Sequence, residues 1–264
     1  MDWRRRQGLQ AMLLAGLAPL ALALPPLARA DLVELVARST PSIVIVGTFN
    51  PTDSPRFRLA GTGFVAAAGN LVVTNAHVLS EQARARPGEP GMRQVVQVWR
   101  ARRQWELREA AVLAVDRLRD LALLRVDGAP LPPMRLAEPG SAREGQAIAF
   151  IGFPIGGVLG FAPVTHRGIV SSITTVALPV LQAGQLHERA LRQLTEGNFE
   201  ILQLDAIAYP GNSGGPVFDA SSGEVVGVIN MVMVKGTREA ALSHPTGLSY
   251  AVPVRYVHEL LARR

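Results

Sequence analysis

The chain has 264 residues, 27 Lys and Arg against 21 Asp and Glu, no cysteine, and a formal charge of +6. Without cysteine there is neither thiol catalysis nor a Cys-ligated metal, and the fold must be held by its core, for which this length is ample. The aromatic content is low and nearly half of the residues are hydrophobic, as in a globular rather than a disordered chain.

The first thirty residues read as a cleavable secretory signal. Arg4, Arg5 and Arg6 precede an apolar run from Ala11 to Leu24, shorter than the ~20 residues of a spanning helix, and Ala28-Arg29-Ala30 closes it with a small-residue cleavage pattern. A periplasmic or secreted location follows, by general export or, through Arg5-Arg6, by the twin-arginine route, with no stable membrane anchor after cleavage. Removing residues 1–30 leaves 23 basic and 20 acidic residues, a charge of +3. Arg100, Arg102, Arg103 and Arg108 are interleaved with Glu106, Glu109 and Asp116. Such mixed charge describes a solvated surface, so nucleic acid is not an expected partner.

From residue 42 onward, short β-rich runs alternate with Gly, Pro and Asn, the pattern of an all-β barrel or sandwich. Ser42 to Gly47 reads as a first strand. Gly61–Phe64 and Leu71–Thr74, joined by Gly69-Asn70, read as a hairpin ending near His77. Gly61-Thr62-Gly63-Phe64-Val65-Ala66 fits a dinucleotide-loop pattern, but a further strand rather than a helix follows it, so it is rejected. Val95–Trp99 and Trp105–Leu107 form another hairpin, and Ala110–Val115 leads to a strand opened by Asp120. A second lobe begins near Gln146, with strands at 147–151, 168–173, 201–204, 217–218, 225–234 and 248–252. The glycines between Gly152 and Gly160 lack the Lys-Ser/Thr ending of a phosphate loop, and no metal-ligand spacing occurs, so no cofactor is expected. Gln185–Leu194 reads as a short surface helix, and Val254, Val257, Leu260 and Leu261 give a helix over 254–262.

Three segments carry chemistry. Gly211-Asn212-Ser213-Gly214-Gly215-Pro216 puts a serine on a glycine-rich turn, with an exposed hydroxyl and free amides beside it. Val72–Val78 delivers His77 at the end of an apolar run, and Asp120 opens the apolar run Leu121–Leu124. Taken singly, a turn serine, a core histidine and a strand-end aspartate are each common. Together, a serine needs a base that titrates near neutrality, and an imidazole needs a carboxylate to fix its tautomer. The chain order His77, Asp120, Ser213 is that of the chymotrypsin-type solution.

These motifs resemble trypsin-like serine proteases of the bacterial Deg/HtrA type. Thr74–Val78, Asp120–Leu124 and Asp205–Pro216 carry the likeness, supported by Gly61–Phe64, Gly168–Ser171 and Gly247–Pro253. The resemblance implies two six-stranded antiparallel β-barrels with a C-terminal helix, approximately 31–140 and 141–264, and a site between them. His77 would be the general base, Asp120 its orienting carboxylate and Ser213 the nucleophile. The amides of Gly211 and Ser213 would form the oxyanion hole. Asn212 stands where digestive relatives have an aspartate, so activation by a newly cut amino terminus is not expected. Ile207, six before the serine, replaces the acid that selects basic substrates. With Ala208, Ile229, Asn230 and Met231 it would line a small to medium apolar pocket for polypeptide substrates, and Val228–Met231 would pair with them as an added strand. The chain stops one helix past this domain, without a PDZ-type module, and a trimer is a further implication of the family. The competing readings are a catalytically silent fold used as an adaptor, an esterase, and a nucleic-acid binder.

Overall fold

The computed structural model describes residues 31–81, 91–100, 104–154, 161–176, 199–230 and 247–263. The signal expected over residues 1–30, the 185–194 helix expectation and Met231 lie outside the described residues.

Twelve strands form two closed antiparallel barrels. The first contains β1 (Ile43–Phe49), β2 (Phe57–Ala67), β3 (Leu71–Asn75), β4 (Arg93–Arg100), β5 (Gln104–Asp116) and β6 (Leu121–Val126), in the order β1-β2-β3-β6-β5-β4. The second contains β7 (Ala147–Gly152), β8 (Val164–Val176), β9 (Phe199–Asp205), β10 (Pro216–Asp219), β11 (Val225–Asn230) and β12 (Leu248–Pro253), in the order β10-β11-β12-β9-β8-β7. This is the chymotrypsin-like architecture that the resemblance implied. Closure pairs every strand on both sides and removes exposed edges. The side chains of Val44, Val46, Val72, Val96, Val98 and Leu124 fill one core, while Phe150, Phe218, Leu202, Val228 and Val252 belong to the other. Burial of such side chains contributes roughly 1.5–3 kcal/mol each.

The strand expectations change mainly in extent, with β2, β8 and β9 running beyond the expected 61–64, 168–173 and 201–204. The separate runs at 105–107 and 110–115 form one strand, β5, which pairs with β4 over its first half and β6 over its second. A register shift between Val112 and Ala114 absorbs the turn from one partner to the other. The glycines at 61 and 63 lie within β2, so no helix opens there.

A helix that sequence periodicity left unread, α1 (Leu32–Ser39), precedes β1. Asp31 caps it by accepting the Val33 amide at 3.2 Å. Its buried Leu35 packs against Gly223 in the β10–β11 turn, so a segment leading into the first barrel is anchored on the second. The C-terminal helix, α2 (Val254–Ala262), buries Val254, Tyr256, Val257 and Leu260. It also reaches the first barrel: Arg119 lies over the Tyr256 ring at 4.4 Å and bonds Asp116 at 2.8 Å.

Candidate active site

Asp120 sits in the turn between β5 and β6 with φ 55°, a left-handed backbone that aspartate tolerates better than most residues. That conformation turns its carboxylate back toward the end of β3. Asn75 ends β3 and donates from Nδ2 to the Asp120 carbonyl at 2.9 Å, and the Ala76 amide donates to the same carbonyl at 3.1 Å. A single 3-10 turn, Ala76–Val78, then carries His77 over the carboxylate.

The carboxylate is filled from three directions. Oδ1 accepts the His77 amide at 2.8 Å, and Oδ2 lies 2.5 Å from His77 Nδ1. Asn230 Nδ2, from the second barrel, donates to Oδ2 at 3.0 Å. With Nδ1–H committed to Asp120, His77 keeps Nε2 free to accept a proton. The side chains of His77 and Asp120 retain 29% and 22% exposure, so the pair faces a cleft rather than the core.

Ser213 reaches the same region from the turn before β10. The loop is pinned to the first barrel by Thr62, a fully buried residue of β2. Its hydroxyl donates to the Gly211 carbonyl at 2.7 Å and accepts the Phe153 amide at 3.1 Å. Its amide donates to the Ser213 carbonyl at 2.9 Å, and its own carbonyl accepts the Thr74 hydroxyl at 2.7 Å. Behind the serine, Gly214 and Gly215 pair with Ile229 of β11, and Gly214 lies against the Asn75 amide. His77 and Ser213 are thus each held within one or two residues of a contact between the barrels.

Gly211 has φ 102°, outside the range of ordinary L-residues, and with Thr62 holding its carbonyl this fixes the peptides on either side. Among the described residues, neither the Gly211 amide nor the Ser213 amide donates to another group. Two unspent donors beside a serine can receive an oxyanion. Ser213 is 4% exposed as a residue, and its hydroxyl makes no hydrogen bond to His77. Such bonds commonly close only when substrate arrives.

The expected specificity residues separate. Ile207 is 41% exposed and Ala208 half-buried, on the loop held by Ser249, whose hydroxyl accepts the Ala208 amide at 3.0 Å and donates to the Ala206 carbonyl at 2.8 Å. Ile229 instead belongs to the second core, and Asn230 turns its amide to Asp120. The backbone of Val228 and Ile229 is spent on β10, β12 and the serine loop, so this part of β11 has no edge for an incoming strand. Sequence reading missed the Asn230 contact because a polar residue ending an apolar strand gives no sign of a partner 110 residues away. The Thr62 contacts were equally hidden.

A model of the trypsin-like peptidase domain matches residues 61–228. The chain belongs to this family. It is 32% identical over 89% of its length to mitochondrial serine protease HTRA2 of Bos taurus, covering 42% of that protein. It is 31% identical over 74% of its length to a Pseudomonas fluorescens protein named "Probable periplasmic serine endoprotease DegP-like", covering 32% of it. The chain therefore spans less than half the length of these HtrA-type relatives. Among solved structures, Deg5 superposes with a TM-score of 0.59 at 24% identity, covering 86% of this chain and 90% of Deg5, a likeness of fold. No helix among the described residues is long and apolar enough to cross a membrane.

Proposed function

We propose that this HtrA-type protease domain is an active serine endopeptidase of exported, unfolded or extended polypeptides. The observation that carries the reading is the 2.5 Å contact between His77 Nδ1 and an Asp120 carboxylate already oriented by the His77 amide and Asn230. That arrangement has one chemical use beside a glycine-flanked serine: it leaves an imidazole nitrogen ready to take the serine proton.

In this mechanism the Ser213 oxygen attacks the peptide carbonyl carbon as its proton passes to His77 Nε2. The Gly211 and Ser213 amides receive the negative oxygen, each worth roughly 3 kcal/mol in comparable sites. His77 then gives the proton to the departing amine, and water enters by the reverse sequence to free the acid and restore the serine. Asp120 stays ionised and stabilises the transient imidazolium. Nothing in this sequence requires a cofactor.

Ile207 and Ala208 are the described residues that offer an apolar surface before the serine, which supports cleavage after small or medium aliphatic residues. The Arg-rich leader with its Ala-x-Ala ending supports export to the periplasm or beyond. Digestion of an unfolded protein by wild type and Ser213→Ala, with mass spectrometry of the new termini, tests activity and preference together. Cuts that depend on Ser213 and fall after Val, Ala or Ile support the proposal. Equal, absent cleavage by both would favour the adaptor reading.

A further inference from the structure

The residue before the nucleophile is fully buried, and its side chain has one polar anchor among the described residues. Asn212 Nδ2 lies 3.3 Å from His166 Nε2 on β8. Its Oδ1 has no hydrogen-bond partner among the described residues and is pressed against Gly152, where an added Cβ would stand 2.6 Å away. The imidazole is itself fixed: it stacks on Phe150 with centroids 4.6 Å apart and planes 14° apart, and the Tyr209 ring lies at 6.1 Å. The main chain closes the circuit, because the Asn212 amide donates to the Tyr209 carbonyl at 2.9 Å and its carbonyl accepts the Gly215 amide at 2.9 Å. His166 therefore touches the loop at both the start and the middle of the turn that presents Gly211 and Ser213.

We propose that His166 is a positioning residue for the serine loop, its neutral ring accepting the Asn212 side-chain N–H and so holding the two flanking peptides with their amides turned outward. Burial lowers the basicity of this imidazole below the ordinary histidine range, which keeps Nε2 free as an acceptor near neutrality. With Nε2 accepting, the ring proton resides on Nδ1. A rotation of the Asn212 side chain would swing the peptide on each side of it, displacing both oxyanion donors at once. The role requires an acceptor at the position of Nε2 and a flat group on Phe150. In digestive enzymes of this fold the corresponding aspartate is held by a charged amino terminus; here an uncharged pair fills the place.

The inference rests on the endopeptidase reading, and the test separates the two. His166→Phe keeps the stacked ring without the acceptor, and His166→Gln returns an acceptor near the Nε2 position. With a peptide substrate, His166→Phe is expected to lower kcat about 10- to 100-fold at a KM within about twofold of wild type, less than outright loss of one oxyanion donor costs, because the donors are displaced rather than removed. His166→Gln should recover most of that loss. A kcat for His166→Phe within about twofold of wild type, or equal impairment of both variants, overturns the proposal. Imidazole ¹⁵N NMR of the wild-type protein supplies a readout that needs no activity and does not depend on the Phe variant folding. A bare Nε2 whose resonance moves in Asn212→Ala is expected; a proton on Nε2, or no response to Asn212→Ala, overturns it. If wild type neither cleaves protein nor reacts with a fluorophosphonate, the endopeptidase reading fails, and the NMR result alone decides for or against the contact.

Discussion

The Thr62 hydroxyl donates to the Gly211 carbonyl at 2.7 Å, joining β2 of one barrel to the serine loop of the other across 149 residues of chain. With the Thr62 amide on the Ser213 carbonyl, one threonine holds both ends of the tripeptide from Gly211 to Ser213. Thr62→Val keeps the shape and removes the hydroxyl, leaving the Gly211 carbonyl and the Phe153 amide without their partner. The expected cost is about 1–3 kcal/mol in denaturant unfolding. A fall in kcat of about tenfold or more should accompany it, whereas Thr62→Ser should stay close to wild type. Unfolding curves and peptide kinetics on the three proteins check this.

Asp120→Asn should be far more damaging to turnover than to folding. An amide can still accept the His77 backbone N–H through its oxygen, which turns its NH₂ toward His77 Nδ1 and Asn230 Nδ2. Nδ1 must then accept, the proton moves to Nε2, and the base is lost. A drop in kcat of about 10⁴ with a nearly unchanged Tm is expected, by analogy with the same change in this triad elsewhere.

Gly214 has φ 86°, and an added Cβ would lie 2.2 Å from the Thr62 carbonyl and 2.3 Å from the Thr74 hydroxyl. Gly214→Ala therefore combines backbone strain with a clash against main chain and should cost about 3 kcal/mol or more. Gly69→Ala provides the comparison, since φ is 80° there but the surrounding space is open. Strain alone predicts about 1–2 kcal/mol. Equal losses in the two variants would contradict the clash.

Asp219 turns the β10–β11 connection. Burial alone would raise its pKa, but bonds from the Ser221 hydroxyl, Gln146 Nε2 and the Ser222 and Ser221 amides outweigh it and hold the group at about 2. A carboxylate depressed from 3.8 contributes stability that is complete above that value and lost as pH falls toward 2. The group is half-buried, so the effect after solvent screening is about 1 kcal/mol. Asp219→Asn should flatten the acid limb of the stability curve between those limits without changing the neutral-pH kinetics.

The legible parts of this protein were those with a local pattern. Short β-rich runs punctuated by Gly, Pro and Asn gave most strands, and the spacing of Val254, Val257 and Leu260 gave α2 with its observed limits. Helix α1 was missed because Leu35 is its one deeply buried apolar side chain, and the surface it covers, Gly223, lies far along the chain. The contact of Asn230 with Asp120 was hidden for a similar reason. Period-two alternation says that one face of β11 is interior, but not that its last polar side chain crosses to Asp120.

What the sequence determined alone was the set of candidate catalytic groups and their order, because Ser213 between glycines, His77 after β3 and Asp120 before β6 are each fixed by local backbone demands. What only the tertiary structure decided was which polar side chains meet around those groups: Thr62, Asn230 and His166 make contacts across the two barrels or between distant strands. Their partners are set by barrel closure and register. A hydrogen bond made at ~3 Å depends on where two strands come to rest, and that information is absent from either segment taken separately.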